Sequence, residues 1–207
     1  MRSPNIDARN PVVLVHGLDD TPAKMAVMQR FLEAEGWTAR AIALSPSNGE
    51  VGLENLAEQL SVFIDDHFEA QPVDLIGFSM GGIVSRYYVQ RLGGIRRVQR
   101  LITLASPHSG TWIGYLRQNR GASQMRRSSA FLQDLNQDVA MLADLQFTSV
   151  WTPFDLMIVP AESSQLPIGD EITIPVWAHS LMVSDRRCLE AIAQQLQKPA
   201  RNAKQAA

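Results

Sequence analysis

One serine in this chain sits in a pattern that can make it a nucleophile. Ser79 lies in Gly77-Phe78-Ser79-Met80-Gly81, a Gly-x-Ser-x-Gly arrangement. A serine hydroxyl attacks poorly at neutral pH, so the chemistry requires a histidine to take its proton and a carboxylate to orient that histidine. The flanks add meaning to the motif. Val73-Asp74-Leu75-Ile76-Gly77 reads as a strand running straight into it, and a helical pattern follows from Ile83 to about Leu92. At such a turn the serine backbone is strained, and small residues two positions away let strand and helix approach closely. Gly77 and Gly81 meet that demand. The competing reading is a turn that cradles phosphate on helix amides. It lacks both a Gly-Lys-Ser/Thr and a Gly-x-Gly-x-x-Gly pattern.

Four histidines compete for the role of base: His16 at a strand end, His67 late in a helix, His108 after Pro107, and His179 after the last strand. Behind a nucleophile elbow the partners follow in the order serine, acid, histidine, which selects His179 and an acid between it and Ser79. Asp155 is the leading acid, because it follows the strand pattern Phe147 to Trp151 and projects from the sheet edge where open α/β folds bind ligands. Asp144, Glu162 and Asp170 remain alternatives.

The tetrahedral intermediate of acyl transfer carries a negative oxygen that needs preorganised amide donors, each worth about 3 kcal/mol of barrier. The backbone N–H of Met80, next to the nucleophile, is one candidate. Leu18, in the loop His16-Gly17-Leu18 after the first strand, supplies the other.

These residues need a scaffold, and the hydrophobic rhythm describes one. Val12 to Val15 is a short β-branched run expected of a strand buried on both faces. Thr21-Pro22 is expected to cap a helix that carries Met25, Met28, Phe31 and Leu32 and ends at Gly36. Thr38 to Leu44 reads as a second strand, Leu53 to Ile64 as a second helix, and Val98 to Ala105 as a fourth strand. Residues from about 110 to 145 break the rhythm as a helical insertion, helical again from Phe131 to Leu145. Strand patterns return at Phe147 to Trp151 and Ile172 to Trp177. A closing helix bears Leu189, Ile192 and Leu196, and a frayed tail is expected from Lys198 to Ala207. Strands alternating with helices imply a mostly parallel sheet of about six strands, covered on both faces through right-handed crossovers. The 207 residues are expected to form a single domain.

Composition excludes other classes. With 45% hydrophobic and 19% charged residues the chain is neither disordered nor fibrous. A net charge of -2 offers no general field for nucleic acid. Cys188, the lone cysteine, cannot form an internal disulfide, and no Cys/His cluster has zinc-ligand spacing. No stretch is long enough to span a membrane, and the first ten residues lack the apolar region of an export signal, which points to a cytoplasmic protein.

Taken together, Val12-Val13-Leu14-Val15-His16-Gly17-Leu18, Gly77-Phe78-Ser79-Met80-Gly81-Gly82 and Leu104-Ala105-Ser106-Pro107-His108-Ser109-Gly110-Thr111 resemble the alpha/beta-hydrolase superfamily, and within it small bacterial lipases, esterases and lipid deacylases. The resemblance runs from about Pro11 to Leu196. It implies a Ser79–Asp155–His179 triad, an acyl-enzyme intermediate, Leu18 and Met80 as oxyanion donors, no cofactor and no metal, with His108 as scaffold or pocket wall rather than base. Two departures stand out. The early antiparallel strands of larger members have no counterpart before Val12, and Ala178 precedes His179 where many relatives carry glycine.

The expected substrate is an ester with an apolar acyl group. Trp112, Ile113, Tyr115, Leu116, Met125 and Phe131 are candidates for an acyl site, whereas the stripe Phe131, Leu135, Leu142 reads better as helix core. Arg117, Arg120, Arg126 and Arg127 read as a solvated basic face ahead of a headgroup site. The short insertion suggests an open site for short or medium chains, with transient contact to a lipid surface. Thioester hydrolysis and acyl transfer would use the same triad, and a non-catalytic binding protein on the same fold is the reading from another class.

Overall fold

The computed structural model describes residues 9–199, so most of the N-terminal stretch in which no export signal is expected, and most of the expected tail, lie outside the described residues. Six strands form one parallel sheet: β1 (Val12–Val15), β2 (Ala39–Ala41), β3 (Val73–Phe78), β4 (Val98–Leu104), β5 (Gln146–Trp151) and β6 (Asp170–Thr173), in the order β2-β1-β3-β4-β5-β6. Because side chains alternate along a strand, Val12 and Leu14 face one layer while Val13 and Val15 face the other. On the first face pack α1 (Ala26–Ala34) and α6 (Arg186–Gln197), through Met28, Leu32, Leu189 and Ile192. On the second lie α2 (Leu53–Phe68) and α3 (Met80–Arg91), through Leu56, Leu60, Ile83 and Val84. All four residues of β1 are fully buried, as a central strand requires.

Strand order reverses between β1 and β3, whose last residues Val15 and Gly77 lie in register. A crevice therefore opens beyond their carboxyl ends, where such sheets bind ligands. Three of the non-glycine residues at positive φ, Asp19, Ser79 and Ala105, stand just past the ends of β1, β3 and β4. Backbone strain is thus gathered at one edge.

Several boundaries differ from those the sequence suggests. The second strand covers Ala39–Ala41 rather than Thr38 to Leu44, because it pairs on one side only and its continuation turns away, with Leu44 N–H donating to His16 Nε2 at 3.2 Å. The last strand is Asp170–Thr173. Beyond Ile174 the chain leaves the ladder: Pro175 has no N–H, and Val176 N–H donates to Thr152 Oγ1 at 3.2 Å. Pro22 opens a 3₁₀ turn, Pro22–Met25, before α1, and the Thr21 side chain makes no cap.

The insertion is helical but broken. It comprises a 3₁₀ turn at Trp112–Tyr115, α4 (Arg120–Gln124) and α5 (Ala130–Gln137), then a 3₁₀ stretch Val139–Asp144 in place of one helix from Phe131 to Leu145. Asn119 and Ser129 cap α4 and α5 with their side chains. At the expected tail, Lys198 is anchored rather than frayed: its ammonium meets Asp170 at 2.7 Å and its carbonyl accepts from Arg100 Nη2 at 2.6 Å.

Candidate active site

Ser79 is the residue between β3 and α3, held at φ 53° and ψ −122°. Packing around it explains the glycines. A Cβ on Gly77 would lie 2.6 Å from the carbonyl oxygen of Gly81, and one on Gly81 would lie 2.6 Å from that of His16 while pressing harder still on that of Val15. Only glycine lets α3 start this close to β1 and β3. Ser79 N–H donates to Leu104 O at 2.8 Å, which ties the elbow to β4, and the hydroxyl has no hydrogen-bond partner among the described residues.

His179 and Asp155 come from the loops after β6 and β5. Asp155 Oδ2 accepts from His179 Nδ1 at 2.7 Å, and its Oδ1 accepts from the amides of Met157 at 2.8 Å and Ile158 at 2.9 Å. The aspartate side chain is 1% exposed and the histidine 13%. An ionised carboxylate only accepts, so the proton of a neutral His179 sits on Nδ1 and Nε2 keeps its lone pair. The imidazole ring also packs on Phe78, the neighbour of Ser79, with centroids 4.8 Å apart. Asp144 and Glu162 are exposed, and Asp170 is held by Gln146 and Lys198. The structure therefore brings Asp155, and none of its three alternatives, to His179.

Ser79, His179 and Leu18 line one cavity of about 620 Å³, whose apolar walls include Ile113, Leu116 and Met125 from the insertion and Phe154, Met157 and Ile158 from the acid loop. That volume is ordinary for a small-molecule site. The amides of Leu18 and Met80 make no backbone hydrogen bond among the described residues. Leu18 lines the cavity from the loop after β1, and Met80, buried next to Ser79, carries the first N–H of α3. Of the acyl-site candidates, Ile113, Leu116 and Met125 line the cavity. Trp112 and Tyr115 are exposed beside it, and Phe131 stacks on Tyr87 at 5.3 Å, with Leu135 and Leu142 in the core.

The other histidines are occupied. His16 is buried, with Nδ1 at 3.0 Å from Gly17 O, and burial lowers its pKa despite that bond and nearby Asp20. His67 Nδ1 lies 2.9 Å from Phe63 O. His108 is fully buried, and burial, with Arg86 beside it, holds its pKa well below the usual range. Cys188 is buried too, its thiol pushed up to about 12 mainly by burial, which makes it an inert core residue.

Sequence reasoning passed over Arg86. This arginine is completely buried on α3, donating to Gln90 Oε1 at 3.1 Å, Leu135 O at 3.1 Å and Asn136 Oδ1 at 3.0 Å, with His108 Nδ1 at 3.3 Å. Burial, with Arg91 adding to it, pulls its pKa down to about 9. It pins α3, the helix that follows Ser79, to the insertion and to the segment carrying Pro107 into the cavity wall. A single arginine inside a helical pattern carries no signal of this. The basic face expected on the insertion is partly used up as well: Arg117 pairs with Asp19 and Arg120 with Glu54.

Residues 11–113 match the family model described as palmitoyl protein thioesterase. Among solved structures, the mature form of a Bacillus licheniformis lipase is similar at a TM-score of 0.80 and 16% identity, covering 92% of this chain and 93% of that one. An extracellular alpha/beta-hydrolase of a Paenibacillus species gives 0.66 at 14% identity, covering 93% and 100% of the two chains. A pyrethroid hydrolase of Sphingobium faniae gives 0.64 at 17% identity, covering 92% and 98%.

Proposed function

We propose that this chain, which shares its fold with alpha/beta-hydrolases of solved structure, is a serine hydrolase of carboxylic esters with an apolar acyl group. The observation that carries this reading is the strained Ser79 lining the same cavity as His179, whose Nδ1 is held by buried Asp155 at 2.7 Å. In the proposed cycle Ser79 Oγ attacks the ester carbonyl carbon while its proton passes to His179 Nε2. Asp155 stabilises the imidazolium, and the Leu18 and Met80 amides receive the oxyanion. Collapse of the intermediate breaks the bond to the alcohol oxygen, which takes the proton from His179, and the acyl group stays on Ser79. Water then repeats the sequence with the same base and releases the acid. No step needs a cofactor.

Thioester hydrolysis is the second reading, favoured by the match of residues 11–113 to the palmitoyl protein thioesterase model. The acyl-enzyme is common to both, so the leaving group decides. Labelling with a fluorophosphonate probe followed by peptide mapping tests the shared part: modification confined to Ser79 and lost in Ser79→Ala and His179→Ala is expected, and an unlabelled, folded wild-type protein would refute it. Matched ester and thioester substrates of increasing chain length then separate the two readings and test the preference for short or medium chains.

A further inference from the structure

The cavity mouth is ringed by apolar side chains that the protein itself leaves uncovered. Of the ten large hydrophobic residues exposed among the described residues, eight fall on three loops. Trp112, Tyr115 and Leu116 follow β4; Phe154, Leu156 and Met157 follow β5; Trp177 and Leu181 follow β6. These are three neighbouring parallel strands, so their following loops all emerge at the same edge of the sheet. Leu116, Leu156 and Trp177 are 77%, 79% and 76% exposed, and Trp177 stacks on Phe154 with centroids 4.3 Å apart. A patch of this kind, gathered around one opening, marks an interaction surface.

Charge selects the partner. Residues 110–129 contain four arginines and no acidic residue. Arg117 and Arg120 are neutralised by Asp19 and Glu54, but Arg126 and Arg127 meet no carboxylate among the described residues and lie 5.0 Å from the Tyr115 ring and 5.7 Å from the Trp112 ring. Lys24, on the cavity edge, is likewise without a carboxylate partner and lies 5.7 Å from the Phe78 ring. Against these three cations, Asp20 is the one cavity-lining carboxylate without an ion pair among the described residues. Tryptophan and tyrosine with arginines at their side are what a headgroup region accepts, and anionic lipids add attraction for each cation.

We propose that this rim docks the protein on the surface of an anionic phospholipid bilayer, with Trp112, Tyr115, Trp177 and Leu181 entering the headgroup layer and the cavity mouth turned toward the lipid. The inference rests on the acyl-ester reading only in taking that mouth as the entrance for substrate, which then reaches Ser79 from the bilayer rather than through water. Docking itself requires no catalysis.

The test uses both wild-type and Ser79→Ala protein, mixed with vesicles of phosphatidylcholine alone or with phosphatidylglycerol, and reads sedimentation with the vesicles and tryptophan emission. Of the four tryptophans, Trp37 and Trp151 are buried, so a blue shift reports on Trp112 and Trp177. Both proteins are expected to bind vesicles containing phosphatidylglycerol with a blue shift, and phosphatidylcholine more weakly. Leu181→Glu, outside the cavity lining, should weaken binding about tenfold, and Arg127→Gln about fivefold on the anionic vesicles alone. Both should hydrolyse a soluble ester at the wild-type rate. Absence of binding by protein that still turns over the soluble ester would overturn the docking. So would a blue shift that rises with protein concentration without lipid, which would assign the rim to a second copy of the chain. Vesicle binding with no ester turnover would leave the docking standing and sink the hydrolase reading instead.

Discussion

Asp155→Asn separates geometry from chemistry at this site. The aspartate side chain is 1% exposed and makes three contacts: Oδ1 with the amides of Met157 and Ile158, and Oδ2 with His179 Nδ1 at 2.7 Å. Asparagine has the same shape, and its oxygen can keep both backbone amides, so its NH₂ must face His179. That group donates, and Nδ1 has to present a lone pair in return. The ring proton moves to Nε2, the atom that should receive the serine proton. A triad in the wrong tautomer loses about 10⁴ in kcat, equivalent to about 5.4 kcal/mol of barrier. Stability should change by no more than about 1 kcal/mol, because no buried group loses its partner. The assay is kcat and KM on a soluble chromogenic ester, with thermal unfolding as control; KM should move little. Activity within tenfold of wild type at an unchanged Tm would refute the assignment of Asp155 as the orienting acid.

Three other outcomes follow from the packing. Gly81→Ala places a methyl group against the backbone oxygens of Val15 and His16, which cannot yield as a side chain would; it should cost about 2–3 kcal/mol in urea unfolding and lower kcat more than it raises KM, since the ends it pries apart carry the Leu18 and Met80 amides. Arg86→Ala should cost about 3 kcal/mol or more in the same assay, because it empties buried volume and strips Asn136 and His108 of a donor. For pH, His16 and His108 have folded pKa values below the ordinary 6.5, so the unfolded chain binds their protons first as pH falls. Their neutral state contributes stability in full well above 6.5, and below it each should remove up to about 1.4 kcal/mol per pH unit; His16→Gln should make unfolding free energy fall less steeply as pH drops below 6.5, and an unchanged slope would refute the contribution of His16.

What could be read from the sequence follows from which interactions leave a local trace. The run Val12 to Val15 announces a central strand because burial on both faces tolerates nothing but apolar residues there. Gly77 and Gly81 announce the elbow because two backbones nearly touch at each of them. Asp155 was reachable through chain order and its place after β5. Arg86 was not, since its four partners lie at Gln90, His108, Leu135 and Asn136 and nothing in the helical pattern of α3 separates a buried arginine from a solvated one. The pairing of Arg117 with Asp19 joins the insertion to the loop after β1 and leaves no spacing to read. Edge-strand lengths failed for a related reason: β2 has one neighbour, so its end is set by where His16 captures Leu44 rather than by hydrophobicity.

The site divides its demands between two kinds of support. Ser79 and the Met80 amide stand on β3 and α3, which are locked by glycine contacts, by the bond from Ser79 N–H to Leu104 O and by the buried Arg86 network. Strain at φ 53° persists there because the surroundings over-determine it. His179 and Asp155 arrive on loops, yet Asp155 is buried and fixed by two further amides, so it holds His179 from a position anchored to its own loop. The apolar cavity wall and the exposed rim sit on those same loops and on the insertion. Substitutions at the rim can therefore change which surface or acyl group the protein accepts without disturbing the elbow. The converse does not hold, because β3, α3 and the loop after β1 share close contacts at Gly77 and Gly81, so altering the elbow shifts Ser79 and the proposed oxyanion donors Leu18 and Met80 together.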